Sequence, residues 1–184
     1  FIKRIDKNHQ FISGNKWYKL KYNLIDAKSR GKKLLLTFGG AYSNHIVATA
    51  YLAKEHGFKS IGVIRGEEHL PLNPTLAFVK EQGMMIQYVS RKEYKLKDTV
   101  DFLHNLKVQY GDFHLLPEGG SNKLAVQGTA EILDDNDMQD YICCPVGSGG
   151  TIAGIVNATN KHQKVIGFPA VKGLSTLEVK IEEL

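Results

Sequence analysis

The chain has 184 residues, of which 42% are hydrophobic and 23% charged, and a formal net charge of +5. That composition excludes a disordered or fibrous chain and leaves room for one ordinary domain or two small ones. The 24 Lys and Arg residues run from Lys3 to Lys180 without a dense basic block, which argues only weakly for nucleic acid, whereas an anionic small molecule needs only a local concentration of positive charge.

In chain order, "SGNKWYKL" opens the first expected helix. Gly14 and Asn15 read as a turn and N-cap, Trp17, Leu20, Leu24 and Ile25 recur at helical spacing, and Gly31 is a stop signal. Then "KLLLTF" reads as a strand, "GGAYSNH" as a turn and "HIVATAYLAKEHG" as a helix. "SIGVIRG" is a strand, and "NPTLAFVKEQG" a helix with Asn73 as cap, Pro74 at its first position and Gly83 as stop. "MMIQYVS" is a strand, "LKDTVDFLHNLKVQYG" an amphipathic helix, "FHLLPEGG" a strand and turn, and "NKLAVQGTAEILDD" a helix. "YICCPVG" is a strand, apolar on both faces as a covered central strand should be. "GTIAGIVNATNKH" is a helix, "KVIGFPA" a strand, and "STLEVKIEEL" closes as a helix. Strands alternating with helices give an α/β fold with mostly parallel sheets. No linker-like composition break occurs, so a second domain is expected as an insertion.

The two cysteines are adjacent, Cys143 and Cys144, and neighbours on a strand point to opposite faces, so no mutual disulfide is expected. A reducing, cytoplasmic setting follows. No metal-ligand cluster, signal peptide or membrane-spanning apolar run is read.

The strongest site signal is "PVGSGGT", Pro145 to Thr151. It joins a strand to a helix through Gly147, Ser148, Gly149 and Gly150, with the Thr151 hydroxyl behind them. Glycines let backbone amides approach a ligand, and the helix start favours an anion, above all a phosphate. The bland reading is a tight turn with no ligand. A Walker loop needs a lysine after the last glycine, and a dinucleotide fingerprint needs a third glycine where Ile152 stands, so both are weak.

"TFGGAYSNH" is a second strand-to-helix turn. Ser43 could move a proton or bind a substrate carboxylate, Asn44 could donate to a ring oxygen, and His45 completes the triplet; the alternative is an N-cap cluster. "PEGGSN" is a third Gly-Gly turn, and three such turns suggest loops converging on one cleft.

Lys16, Lys19 and Lys21 occupy the first turns of the first helix, where the macrodipole disfavours cations. A lysine there has a depressed pKa and more neutral amine, the form that attacks an aldehyde to give a Schiff base. Trp17 nearby could lower it further by desolvation. Lys19, three residues on, could stay charged and meet a phosphate. An aldehyde-holding lysine together with a phosphate loop describes pyridoxal 5′-phosphate. The alternative is that these are solvated lysines in a lysine-rich chain.

The motifs "KRID", "SGNKWYKLKYNL", "LLLTFGGAYSNHIVATA", "GVIRGE", "LPEGGSN", "AVQGTAE" and "PVGSGGTIAGI" occur in that order. Together they resemble the pyridoxal-phosphate enzymes grouped as 1-aminocyclopropane-1-carboxylate deaminase and D-cysteine desulfhydrase. The resemblance runs from Phe1 to about Phe168, with "GNK" plus "SNH" the specific pair and "GSGGT" shared more widely. It implies the tryptophan synthase β-like fold (fold type II), two three-layer αβα domains with mostly parallel sheets. The large cofactor-binding domain would comprise residues 1–33 and 117–184, and the small inserted α/β domain residues 34–116. Family chains are longer, so this one reads as truncated at both ends.

The resemblance also implies residue roles. Lys16 would hold the coenzyme covalently and Asn44 would bond its ring hydroxyl. Ser43 would act catalytically at the substrate, with Asn44 and His45 beside it. Gly147, Ser148, Gly149, Gly150 and Thr151 would hold the phosphate, helped by Lys19. His45 stands where deaminases proper tend to carry glutamine, which tilts the reading towards the desulfhydrase branch. The implied reaction is release of ammonia and a 2-oxo acid from a small amino acid. The expected partners are that substrate and a second copy of the chain in a homodimer, with neither nucleic acid nor membrane. The competing reading is a non-catalytic fold relative, since the C-terminal part of the family's site is missing.

Overall fold

The computed structural model describes residues 1–171 and 177–184. Those residues form helices α1 (Asn15–Ser29), α2 (Asn44–Glu55), α3 (Pro74–Glu81), α4 (Arg91–Tyr94), α5 (Val100–Tyr110), α6 (Lys123–Ala130), α7 (Gly150–Ala158) and α8 (Leu177–Glu182). The strands are β1 (Leu34–Gly39), β2 (Lys59–Arg65), β3 (Met85–Val89), β4 (His114–Leu116), β5 (Tyr141–Val146) and β6 (Lys164–Pro169). The chain divides into two compact units, one joining Phe1–Leu24 to Gly120–Leu184, the other being Ile25–Gly119.

The Ile25–Gly119 unit holds a parallel sheet of order β3-β2-β1-β4. Alternate residues feed two cores. Leu36, Phe38, Ile61 and Val63 meet Tyr94, Leu106 and Phe113 on one face. Ile64 meets Ile46, Ala50, Leu76, Val79 and Met84 on the other. Helices therefore cover both faces, as a parallel sheet requires. Gly62 admits this packing: a Cβ there would lie 2.8 Å from the Met84 sulfur. Local caps set the helix starts. Asn73 accepts from the Leu76 amide at 3.0 Å ahead of Pro74, and Gly83 stops α3 at φ +86°. Ser90 and Glu93 form a capping box that starts α4, a turn of helix not anticipated from periodicity.

In the other unit, β5 and β6 pair in parallel. Cys144, Val146, Ile152, Ile155, Ile132 and Leu177 form its core, so α7 packs on one face of the pair. The other face carries Tyr141, Cys143, Pro145, Ile166 and Phe168, all exposed. The expectation of a covered central strand over "YICCPV" is not met, because β5 has one strand neighbour among the described residues. Both cysteines are free, Cys143 exposed and Cys144 buried. The closing helix begins at Leu177; Ser175 and Thr176, expected at its start, lie outside the described residues.

Helices α6 and α7 approach closely at Gly154. A Cβ there would overlap the Thr129 hydroxyl and come within 2.6 Å of the Val126 carbonyl. Thr129 meanwhile donates to the Gly150 carbonyl at 2.8 Å. Gly154→Ala should therefore destabilise the protein by about 2–3 kcal/mol through overpacking, read as a lower urea midpoint with unchanged slope. An unchanged midpoint would show that the helices separate at no cost.

Helix α1 differs in detail from its sequence reading. Leu20, Leu24 and Ala27 are buried, but Trp17 is 41% and Ile25 53% exposed. The buried stripe instead includes Lys19 and Asn23, at 1% and 0% exposure. Asn15 is the first helical residue rather than the cap, and its amide donates to Thr151 Oγ1 at 2.8 Å. Gly31 closes the helix at φ +64°, with the Lys32 amide bonded to the Ala27 carbonyl as in a Schellman turn.

Candidate active site

The polar stripe of α1 faces the turns that begin α6 and α7. Lys19 Nζ donates to Ser121 Oγ at 2.8 Å and to Ser148 Oγ at 3.3 Å, and the two hydroxyls are 2.6 Å apart. Gly150, the first residue of α7, lies against them. A Cβ there would be 3.2 Å from Lys19 Nζ and 2.8 Å from Ser121 Oγ, so any side chain would fill the cradle. Gly149 precedes it at φ +88°, a conformation open to glycine, and no side chain caps the helix. A helix start of this kind presents amide donors and a positive dipole end.

One turn deeper, Asn23 and Asn122 pair reciprocally. Asn122 Nδ2 donates to Asn23 Oδ1 at 2.7 Å, and Asn23 Nδ2 donates to Asn122 Oδ1 at 3.2 Å and to the Lys19 carbonyl at 2.7 Å. Asn122 also caps α6 by accepting from the Ala125 amide. These bonds hold α1 against the turn carrying Ser121.

Burial pushes the Lys16 ammonium down to about 8. Burial pushes Lys19 further, to about 7, with repulsion from Lys16 adding to it. Desolvation is thus the main cause, where the sequence reading invoked the helix dipole. Trp17 itself is 41% exposed and stacks on His9, ring centroids 5.5 Å apart. Lys19, expected to stay charged, is the more depressed of the two. A nearby dianion would reverse that, because opposite charge favours the ammonium.

Ser43, Asn44 and His45 belong to the Ile25–Gly119 unit. Ser43 caps α2 by accepting from the Ile46 amide at 3.4 Å, Asn44 is exposed, and His45 is 2% exposed. His45 Nε2 lies 2.7 Å from Thr37 Oγ1, whose hydroxyl donates to the Leu116 carbonyl at 2.9 Å. With that proton committed, Nε2 must be the donor to Thr37, which fixes the tautomer.

The donor set fits a phosphate monoester. It comprises a buried ammonium, two hydroxyls and an uncapped helix start. Ser121, Asn23 and Asn122 were not singled out from sequence. Their signals were a polar residue after Gly-Gly at a strand-to-helix turn and an asparagine within an apolar stripe. Among the described residues, no group of three or more His, Cys, Asp or Glu could hold a metal ion, and no helix is long and apolar enough to cross a membrane.

Residues 1–178 match the model of a family described as pyridoxal-phosphate dependent enzyme. A Thermotoga maritima protein provisionally named 1-aminocyclopropane-1-carboxylate deaminase is 36% identical over 178 residues, covering 91% of this chain and 57% of that protein. A D-cysteine desulfhydrase of Serratia proteamaculans is 27% identical over 168 residues, covering 84% of this chain and 51% of that one. A crystal structure of an ACC deaminase homologue superposes with a TM-score of 0.84 at 25% identity, covering 98% of this chain and 58% of that one. The chain thus spans less than two thirds of the length of the relatives it matches.

Proposed function

The chain belongs to the family of pyridoxal-phosphate-dependent enzymes, and on that premise we propose that it is a deaminase or lyase acting on a small amino acid of the 1-aminocyclopropane-1-carboxylate or D-cysteine type. The products would be ammonia and a 2-oxo acid. The observation that carries the reading is the pairing, on one helix, of a half-buried lysine with a pKa near 8 and a fully buried lysine set against two hydroxyls at a helix start. The named activities of the relatives narrow the substrate.

When bound, the coenzyme supplies an electron-accepting ring conjugated to the amino acid's α-carbon. Lys16 would hold it through its aldehyde. At pH 7 about a tenth of an amine with pKa 8 is neutral, against well under a thousandth for an ordinary lysine. Lys19, with Ser148, Thr151 and the amides of Gly147, Gly149 and Gly150, would hold the phosphate. Asn44 would meet the ring hydroxyl. Ser43, whose cap role uses its oxygen and not its O–H hydrogen, would carry a proton at the substrate's α-carbon. His45 would orient that helix start from behind, through Thr37.

We read the unit holding both chain ends as the large cofactor-binding domain and Ile25–Gly119 as the inserted small domain. We extend the reading to a homodimer in the cytoplasm, the location resting on the free cysteines. A monomer mass in sedimentation would refute the dimer. The reaction is tested with a panel of aminocyclopropane carboxylate, D-cysteine, D-serine and L-serine, assaying keto acid and ammonia together. Both products should appear from at least one of the first two. Racemisation or β-replacement as the sole activity would overturn the reaction class and leave the coenzyme assignment standing.

A further inference from the structure

We propose that Ser121 is a direct ligand of the coenzyme phosphate, a side-chain arm of the cradle that Lys19 and Ser148 also line. This rests on the reading of that cradle as the phosphate site. The hydroxyl of Ser121 is the nearer of Lys19's two hydroxyl partners, at 2.8 Å against 3.3 Å for Ser148. It also lies 2.8 Å from where a Cβ on Gly150 would fall, at the first turn of α7. An anion seated on the α7 amides therefore meets Ser121 as it meets Lys19.

The chain goes to some length to place this hydroxyl. Gly119 and Gly120 both take positive φ, 67° and 70°, to turn the chain out of β4. Asn122, the next residue, is fixed by its cap on α6 and by its reciprocal pair with Asn23. Asn23 in turn holds the Lys19 carbonyl. The Ser121 backbone and the Lys19 backbone are thus tied to one another through two amide side chains. Ser121 and Ser148 can each donate to a phosphate oxygen while Lys19 supplies charge, and a hydroxyl rotor adapts to either role.

The test is a titration of the full chain with pyridoxal 5′-phosphate and with pyridoxal, which lacks the phosphate, followed by absorbance. Ser121→Ala should weaken pyridoxal 5′-phosphate by about tenfold or more, the effect of losing a hydrogen bond to a charged group, and leave pyridoxal unchanged. Ser121→Thr should restore most of the difference. Inorganic phosphate should raise the urea midpoint of the parent chain and of Ser121→Thr, and raise that of Ser121→Ala less. Equal preference for the phosphorylated form in parent and Ser121→Ala would overturn the proposal, as would equal weakening of both compounds, which marks a structural role. If the parent itself shows no preference for the phosphorylated compound, the cradle reading fails before Ser121 is reached.

Discussion

Lys16→Ala should yield a folded protein that no longer fixes pyridoxal 5′-phosphate covalently and turns over amino acids at least about a thousandfold more slowly. Lys16 sits in the first turn of α1, and desolvation brings its pKa to about 8, so a useful share of the amine is neutral near neutral pH. Removing the amine would remove the group proposed to bond the aldehyde. Noncovalent grip on the phosphate would remain with Lys19 and the α7 start, so coenzyme affinity should fall less than activity. Borohydride reduction followed by peptide mapping decides the point: the parent should carry a pyridoxyl group on Lys16, the variant none. An adduct on Lys19 with Lys16 unmodified would reverse the assignment of the two lysines.

Lys19→Met should weaken pyridoxal 5′-phosphate binding by about a hundredfold and yet stabilise the coenzyme-free protein at pH 6 by on the order of 2 kcal/mol. Lys19 is 1% exposed and its folded pKa of about 7 lies below the ordinary lysine value of 10.5. Between those two values the folded chain binds fewer protons than the unfolded chain, so its stability rises with pH across that window. The penalty is complete below about pH 7 and shrinks towards pH 10.5. Methionine has similar length and no charge to bury, so the penalty disappears along with most of that pH dependence. Urea midpoints of parent and variant at pH 6 and pH 9, without coenzyme, measure this. A variant less stable than its parent at pH 6 would mean that the ammonium is stabilised in the cradle rather than strained there. A binding site that costs stability when read alone is the usual trade of function against fold.

Much of the fold was legible because its signals are local. Asn73-Pro74 and Gly83 punctuate α3 within the segment itself, and alternation of short apolar runs with helical ones gives parallel βα units. The glycine loop at 147–151 is equally local, since its turn chemistry lies in five consecutive residues. What failed to show was set by distant partners. Lysine is rarely buried, and nothing near Lys19 in sequence says otherwise, because its partners Ser121 and Ser148 are 102 and 129 residues away. Asn23 looks like a helix-surface residue until Asn122, 99 residues on, is brought to it. Trp17 and Ile25 fit an apolar period, but burial followed the Lys19–Asn23 side of α1 instead. Apolar runs likewise cannot distinguish a strand covered on both faces from β5, where Tyr141 and Cys143 stay exposed.

The same long separations set the order in which the cradle comes into being as the chain is synthesised. Lys16 and Lys19 leave the ribosome early, and Ser121, Ser148 and Thr151 follow only after the whole of Ile25–Gly119 has been made. Closing a loop of more than a hundred residues costs about 2 kcal/mol more than closing one of ten, and a folded unit within the loop shortens the span that stays flexible. Until residue 120 and those beyond it exist, the bonds from Lys19 to Ser121 and Ser148, and from Asn23 to Asn122, cannot form. Lys19 owes its lowered pKa to burial, and the hydroxyls set against it arrive only with that closure. An unfinished chain therefore holds Lys19 but not the hydroxyls it is set against, and connectivity alone decides when the cradle is assembled.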